Sequence, residues 1–244
     1  MKLVINILVV LLFVSCGKKK APLISVDKDS LSENQIDSIL LNNNYAYGKP
    51  IAVDSLGQLL IPLVLKNVRH SRGSFSKYDS NTSYKDTWNA IFYNAKTEAT
   101  SVLSEDKMKI ARIHTKPIMK PKRTIMDFDR IFYEIRKKDY NSDKFIDNKD
   151  PLYLFTSGKD GSGLTRISPE NESLTYFQYL DSSKSLLIET KRDTNEDRLF
   201  NDSDESMIYK ATYTNNEWIL KDVVSQSLKD KVDNLYFDQW LNQQ

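Results

Sequence analysis

The chain has 244 residues, of which 40% are hydrophobic and 11% aromatic, which is enough apolar material for a packed core in one or two domains. Its formal net charge is +2, so it lacks the large basic excess that indicates nucleic-acid binding. It contains a single cysteine, which excludes a framework of intrachain disulfides.

The first fifteen residues have the pattern of a secretory signal peptide. Lys2 precedes an apolar run over residues 3–14, and Ser15 precedes the lone cysteine, Cys16. The apolar run is shorter than the ~20 residues that a membrane-spanning helix needs. The stretch F-V-S-C resembles the lipobox of bacterial lipoproteins, with Phe13 where leucine is usual. This resemblance implies that Cys16 is lipidated and anchors the chain in the cell envelope, facing the periplasm or the cell exterior.

We therefore divide the chain into residues 1–15, a signal peptide, residues 16–45, a lipidated tether with a short helix, and residues 46–244, a β-repeat domain. The short helix is predicted from the capping-box pattern S-x-x-E over residues 30–33. Residues 227–241 predict a terminal amphipathic helix, because apolar side chains recur there at helical spacing. Those side chains are Leu228, Val232, Leu235, Tyr236 and Trp240. The simplest role of this helix is to pack on the last sheet, and the alternative is that it binds a partner.

Between these ends, short aromatic and β-branched runs alternate with polar turns, which is typical of antiparallel strands. Pro62 within residues 57–68 predicts an edge strand or a bend. Residues 70–86 predict a long exposed loop, either a contact surface or a disordered insert. Basic residues concentrate in residues 107–123, either as a patch for an anion or partner or as a solvated connection.

The most specific motif is an acidic twelve-residue loop that occurs twice. The pattern D-x-N-x-D-x6-D fits residues 139–150 and residues 193–204, which are offset by about 54 residues. Oxygen-bearing side chains at alternate positions suit Ca²⁺, which takes six to eight oxygen ligands. The spacing resembles EF-hand and dockerin-type calcium loops. In these, positions 1, 3, 5, 9 and 12 supply side-chain oxygens, and position 7 supplies a carbonyl oxygen.

This resemblance implies about two bound calcium ions, one in each loop. The first set is Asp139, Asn141, Asp143, Asp147 and Asp150, with the carbonyl of Phe145. The second set is Asp193, Asn195, Asp197, Asn201 and Asp204, with the carbonyl of Leu199. Position 6, normally glycine, is Lys144 or Arg198, and position 12 is aspartate instead of glutamate; both departures indicate modest affinity. Without metal, the same residue types form Asx turns between strands.

Strand-like runs flank both loops, so each loop is expected to join the two strands of a hairpin rather than two helices. The stretch LYLFTSGKDGSGLTRISPE, residues 152–170, resembles the blade hairpins of TolB-like, WD40-like β-propeller repeats. The resemblance implies an all-β, propeller-like body of about four antiparallel blades, closed or open, with short N- and C-terminal helices. The expected units are residues 51–86, 87–129, 130–184 and 185–224.

The sequence contains no G-x-S-x-G elbow, P-loop, H-E-x-x-H or dinucleotide fingerprint. We therefore expect a non-catalytic, lipid-anchored envelope protein whose calcium-stabilised β-repeat scaffold binds a protein or a ligand, and no nucleic acid. The alternative is a lipid-anchored hydrolase or glycan-acting enzyme with a propeller-like body. That alternative predicts a concave cluster of acids outside the two loops.

Overall fold

The computed structural model describes residues 32–35, 43–67, 87–115, 129–180 and 183–241. The strands are β1 (Asn43–Tyr47), β2 (Ile51–Ala52), β3 (Gln58–Asn67), β4 (Thr87–Asn94), β5 (Thr100–Val102), β6 (Lys109–His114), β7 (Arg130–Arg136), β8 (Tyr153–Gly158), β9 (Thr165–Arg166), β10 (Glu172–Leu180), β11 (Ser185–Arg192), β12 (Glu205–Thr214) and β13 (Glu217–Asp222). They are followed by helix α1 (Gln226–Asn234) and a π-helical segment (Leu235–Trp240).

These strands form two antiparallel sheets, and neither closes into a barrel or ring. The nine-stranded sheet has the order β1-β3-β4-β6-β7-β8-β9, with β2 added beside β3 and β5 beside β4. The four-stranded sheet has the order β10-β11-β12-β13. The predicted antiparallel, mostly β architecture is therefore confirmed. The four expected units do not form four separate blades. Strands β2 to β9, from the first three units, share one sheet, and β10 of the third unit pairs with β11 of the fourth.

Strands β7 and β8 are buried on both faces because each lies between two apolar clusters. Ile131, Tyr133 and Ile135 point into a cluster within the nine-stranded sheet's own strands and loops. Phe132 and Leu154 point the other way and pack against the four-stranded sheet. Successive side chains of a strand face opposite sides, so a strand covered on both faces reads as a continuous apolar run. This arrangement accounts for the nearly unbroken apolar sequence IFYEI before the first acidic loop.

The turn after β8 has the sequence Asp160-Gly161-Ser162, and only glycine fits its centre. Gly161 has φ +84°, and a Cβ atom there would lie 2.3 Å from the ring of Phe92. The following Ser168 is buried, and its Oγ accepts a hydrogen bond from Leu154 N at 2.9 Å. The turn is therefore fixed both by close backbone approach and by a buried side-chain hydrogen bond.

Of the two interpretations of Pro62, the edge strand is wrong, because β3 has β4 on one side and β1 and β2 on the other. Pro62 lies in the interval between the residues paired with β1 and those paired with β2. Its carbonyl accepts a hydrogen bond from Gly48 N at 2.7 Å. The register with β4 shifts directly afterwards, between Leu63 and Val64, which makes a local bulge.

The predicted terminal helix is present as α1, but its predicted packing on the last sheet is wrong. Ser225 caps it, with Oγ accepting from Leu228 N, and Lys229 attaches it to β12 through Glu205, at 2.5 Å. None of the residues in α1 or in the π-helical segment is buried. The exposed apolar side chains are Leu228, Val232, Leu235, Tyr236, Phe237, Trp240 and Leu241.

Several predictions concern residues outside the described part of the chain. These are the signal peptide with Cys16, most of the short N-terminal helix, the loop 70–86, and residues 116–128 of the basic stretch. Within residues 32–35, Ser32 N donates to Gln35 Oε1 at 3.0 Å, so the capping interaction lies two residues later than predicted. Across the described ranges, no helix combines the length and apolar character needed to span a bilayer.

Candidate metal centre

The two acidic loops occupy equivalent places in two different sheets. Residues 139–150, the first loop, join the antiparallel neighbours β7 and β8. Residues 193–204, the second loop, join the antiparallel neighbours β11 and β12. The prediction that each loop connects the strands of a hairpin is therefore confirmed.

Both loops turn around the side chains of positions 1 and 5. The position 1 carboxylate accepts a hydrogen bond from the backbone N–H of position 6, and position 5 accepts one from position 7. These bonds run from Lys144 N to Asp139 Oδ2 (2.8 Å), from Arg198 N to Asp193 Oδ2 (3.0 Å), from Phe145 N to Asp143 Oδ1 (2.9 Å) and from Leu199 N to Asp197 Oδ1 (2.8 Å).

Positions 3 and 9 form Asx turns with the backbone two residues further on. The bonds run from Asp143 N to Asn141 Oδ1 (3.0 Å), from Asp197 N to Asn195 Oδ1 (3.1 Å), from Lys149 N to Asp147 Oδ1 (2.9 Å) and from Ser203 N to Asn201 Oδ1 (2.8 Å). These turns are the structure that Asp and Asn adopt with or without a metal.

The position 12 carboxylates, Asp150 and Asp204, are buried and bond to the backbone of their own loops. Each accepts hydrogen bonds from the backbone N–H groups of positions 2 and 9. The donors are Tyr140 (2.9 Å) and Asp147 (2.8 Å) for Asp150, and Thr194 (3.4 Å) and Asn201 (2.8 Å) for Asp204. The repeat seen in the sequence therefore extends to matched hydrogen bonds at matched positions.

Position 6 makes the sharp turn of such loops without the glycine that usually occupies it. Lys144 has φ +70° and Arg198 has φ +62°, both in the left-handed region that glycine favours. Ser142 and Glu196, at position 4, have φ +61° and +58°. A side chain in this region costs about 1–2 kcal/mol, so both loops hold strained backbone at the same two positions.

The first loop concentrates negative charge around its buried end. Burial is the largest cause that raises the pKa of Asp150, and the nearby charges of Asp139 and Asp147 raise it further. Hydrogen bonds from Tyr140 N and Asp147 N oppose this effect without cancelling it. Nearby carboxylates that raise one another's pKa are stabilised when a cation lies between them.

In the second loop, one oxygen of the position 1 side chain is left without a donor. Asp193 Oδ2 accepts from Arg198 N and from Tyr140 Oη, at 3.0 and 3.2 Å. Asp193 Oδ1 is buried, and no hydrogen-bond partner reaches it within the described residues. Leaving such an oxygen unsatisfied is costly, and a bound cation would satisfy it. The residues of the second loop therefore fit a calcium ion in this respect.

The structure brings the predicted residues of each loop into one turn but does not gather their carboxylates tightly. Within the described ranges, no group of three or more His, Cys, Asp or Glu side chains is arranged to hold a metal ion. Most carboxylate oxygens instead accept bonds from the loop's own N–H groups. The predicted ligand sets also depend on asparagine amides and backbone carbonyls, which lie outside such a group.

The two loops lie side by side, which the sequence analysis did not predict. Tyr140 Oη donates to Asp193 Oδ2 at 3.2 Å, and the Tyr140 ring packs on Phe200 with centroids 5.3 Å apart. Arg198 Nη1 donates to Ser142 Oγ at 3.2 Å. Since Tyr140 N also donates to a carboxylate of the first loop, this residue contacts predicted ligands in both loops. Burial and the hydrogen bond to Asp193 raise the pKa of Tyr140, so its phenol stays protonated.

A buried charge network supports the second loop at its strand ends. Glu172 accepts hydrogen bonds from Thr190 Oγ1 (2.5 Å), Arg192 Nη2 (2.7 Å) and Tyr209 Oη (2.8 Å). Burial and the bond to Glu172 raise the pKa of Tyr209 to about 12. The hydrogen bond to Glu172 also raises the pKa of Arg192. The network joins β10, β11 and β12, and Arg192 directly precedes position 1 of the second loop.

Comparison of the chain with protein-family models, with curated proteins and with solved structures found no match in any of the three.

Proposed function

We propose that this chain is a non-catalytic, lipid-anchored cell-envelope protein in which two acidic loops bind calcium and stiffen a β scaffold for protein or ligand binding. The observation that carries the proposal is Asp193 Oδ1, a buried carboxylate oxygen with no hydrogen-bond partner among the described residues. Position 1 is the place where loops of this spacing contribute a side-chain oxygen to the ion.

The Asx turns alone do not discriminate, because Asp and Asn make them in metal-free hairpins as well. Three further features favour calcium. Most hydrogen bonds recur at the same positions in both loops; the exception is position 1, where Asp139 Oδ1 accepts from Asp143 N at 3.1 Å and Asp193 Oδ1 has no such donor. The backbone at position 6 makes the expected turn. Burial, and then the neighbouring charges of Asp139 and Asp147, raise the pKa of Asp150. Bound calcium would neutralise the carboxylates, and the predicted ligand sets of the two loops would hold it.

The finer parts of the proposal depend on the sequence resemblances. The pattern of residues 1–16 supports a lipoprotein signal peptide with lipidation at Cys16 and a location in the cell envelope. The four-stranded meander β10–β13 has the strand number of one propeller blade. The residues that carry the TolB-like resemblance lie in β8 and β9 of the other sheet, so that part of the proposal depends on the sequence alone. We propose a propeller-like arrangement that is open.

The test is calorimetry of calcium into residues 17–244, which contain every described strand and helix. We expect about two bound ions in the unmodified chain and none after the double substitution Asp143→Ala, Asp197→Ala. The matched control is Asp202→Ala, which removes an exposed carboxylate from the second loop at a position that is not a predicted ligand. This control should keep both ions.

Stability gives a second measurement. Extracellular calcium modules bind with dissociation constants of about 0.1–1 mM. At about 10 mM calcium, each site would then add about 1.4–2.7 kcal/mol to the free energy of unfolding. No heat of binding, together with the same melting temperature in calcium and in chelator, would make the loops metal-free Asx turns.

The alternative is a lipid-anchored hydrolase or glycan-acting enzyme. Glycoside hydrolysis uses two carboxyl groups flanking the bond to be cleaved. A cavity beside β6 has one carboxylate among its described lining residues, Glu134, and both its oxygens already lie within hydrogen-bond distance of neighbouring side chains. This arrangement favours the non-catalytic proposal. Hydrolysis of chromogenic glycosides that is lost in Glu134→Gln would reverse this preference.

A further inference from the structure

The cavity that Glu134 lines is a groove of about 490 Å³. It lies between strand β10 and the face of β6 and β7 that carries Phe132 and Glu134. Its volume lies within the range of small-molecule sites, about 300–1,000 Å³. Among the described strands of the four-stranded sheet, β10 pairs with β11 alone, and its other side is bonded at Leu174, whose N donates to Leu152 O at 2.6 Å. The acidic loops do not line the groove.

One wall of the groove is aromatic. Phe177 comes from β10, and its ring packs toward the core between the sheets. The preceding residue, Tyr176, is half exposed and faces the other side of the strand. The ring of His114 meets the ring of Phe177 edge to face, with centroids 5.0 Å apart. Phe132 lies at the floor, 6.1 Å from Phe177 between ring centroids. Flat aromatic walls of this kind bury a planar apolar ligand at low entropic cost, because the rings are held by each other.

The opposite wall carries three charged or titratable side chains held in a fixed arrangement. The Glu134 side chain is only 6% exposed; Arg112 Nη1 donates to its Oε2 at 2.7 Å, and His114 Nε2 lies 3.0 Å from its Oε1. Burial raises the pKa of Glu134, but hydrogen bonds from His114 and Arg112 outweigh burial and leave this pKa below its usual value. Glu134 is therefore ionised at neutral pH and holds the Arg112 guanidinium in place.

Several N–H groups of the Arg112 guanidinium have no acceptor among the described residues. Its side chain is 65% exposed, and among the described residues its only hydrogen bond is the one from Nη1 to Glu134. The remaining N–H groups of a guanidinium form a planar fork that matches a carboxylate or sulfonate. Because both Glu134 oxygens are engaged, a cationic ligand would find no free carboxylate oxygen on this wall.

We propose that the groove binds a small molecule with a planar, aromatic or otherwise apolar body and a single carboxylate-like or sulfonate-like anion. The anion pairs with the free edge of Arg112, and the body packs on Phe177. Glu134 and His114 are positioning residues that fix the guanidinium and one ring. This site is independent of the calcium loops, and it stands whether or not those loops bind metal.

The test uses two dyes that share one aromatic body. Anilinonaphthalene sulfonate carries the anion, and phenylnaphthylamine is the same body without it. Fluorescence titration of residues 17–244 should show tighter binding of the sulfonate dye. Arg112→Gln should weaken the sulfonate dye about tenfold or more and leave the neutral dye unchanged, since a charge-assisted hydrogen bond is lost. Phe177→Ala should weaken both dyes.

Two controls keep the result specific. Arg166→Gln removes an arginine outside the groove and should leave both affinities unchanged. Trp240→Ser removes an exposed aromatic side chain of the C-terminal segment and should also leave them unchanged. If Arg112→Gln lowers the melting temperature, Arg112→Lys should be measured instead, because lysine keeps the charge beside Glu134 but lacks the planar fork. It should weaken the sulfonate dye with an unchanged melt.

Four outcomes would overturn the proposal. Equal affinities of the two dyes, or a sulfonate-dye affinity that Arg112→Gln does not change, would show that no anion is recognised in the groove. Loss of the signal in Trp240→Ser would place the dye on the C-terminal segment. Loss of binding as the chain dimerises at raised concentration would assign the groove to a second copy of this chain.

Discussion

Replacing Arg192 by methionine should destabilise the fold by about 3 kcal/mol, because the buried carboxylate of Glu172 would lose its cation. The Glu172 side chain is 4% exposed, and its Oε1 accepts from Arg192 Nε at 3.0 Å and from Arg192 Nη2 at 2.7 Å. Removing one partner of a buried ion pair costs about 3–5 kcal/mol. The lower end applies here because Arg192 is 43% exposed. For a chain of this size, the melting temperature should fall by about 6–12 °C.

Urea unfolding, followed by tryptophan fluorescence and by circular dichroism, measures this loss. The matched control is Arg166→Met, which breaks an exposed pair with Glu170 and should change stability by about 0.5 kcal/mol or less. The double variant Glu172→Gln, Arg192→Met should recover part of the loss, because the buried charge is removed together with its partner. If Arg192→Met costs no more than the control, Glu172 is not held as a buried ion, and the reasoning fails.

Three further predictions concern the loops and the groove. Tyr140→Phe removes the hydroxyl that donates to Asp193, so calorimetry should show weaker calcium binding at the second loop; an unchanged second affinity would contradict the bridge. Lys144→Gly and Arg198→Gly relieve left-handed backbone and should each raise the free energy of unfolding by about 1 kcal/mol; a lower melting temperature would refute the strain. Glu134 has a folded pKa below its usual 4.5, so it contributes stability above that pH which is lost as the pH falls through the lowered value. Glu134→Gln should therefore lose less stability on acidification than the unmodified chain, and parallel losses would argue against this.

The sequence by itself determined the parts of the molecule whose interactions are local. Within each acidic loop, most hydrogen bonds join residues no more than five positions apart, such as Lys144 N with Asp139 Oδ2. Residue types at fixed spacing are enough to specify such bonds, because Asp and Asn side chains reach the backbone of their own turn. The sequence also predicted the strands that flank the loops and the terminal helix, because alternating and helical patterns of apolar residues are recognised within short stretches.

Only the tertiary structure decided which elements meet. Tyr140 contacts Asp193 of the other loop, 53 positions away, and Arg112 contacts Glu134 on the neighbouring strand, 22 positions away. The division into one nine-stranded and one four-stranded sheet, and the exposure of α1, likewise have no local signature. Strand partners are selected by competition among all apolar faces for burial, and a hydrophobic pattern tells which face is buried but not against which strand. The loops and their residue types were therefore predictable, whereas their pairing through Tyr140 and the anion-binding groove depend on how the two sheets pack.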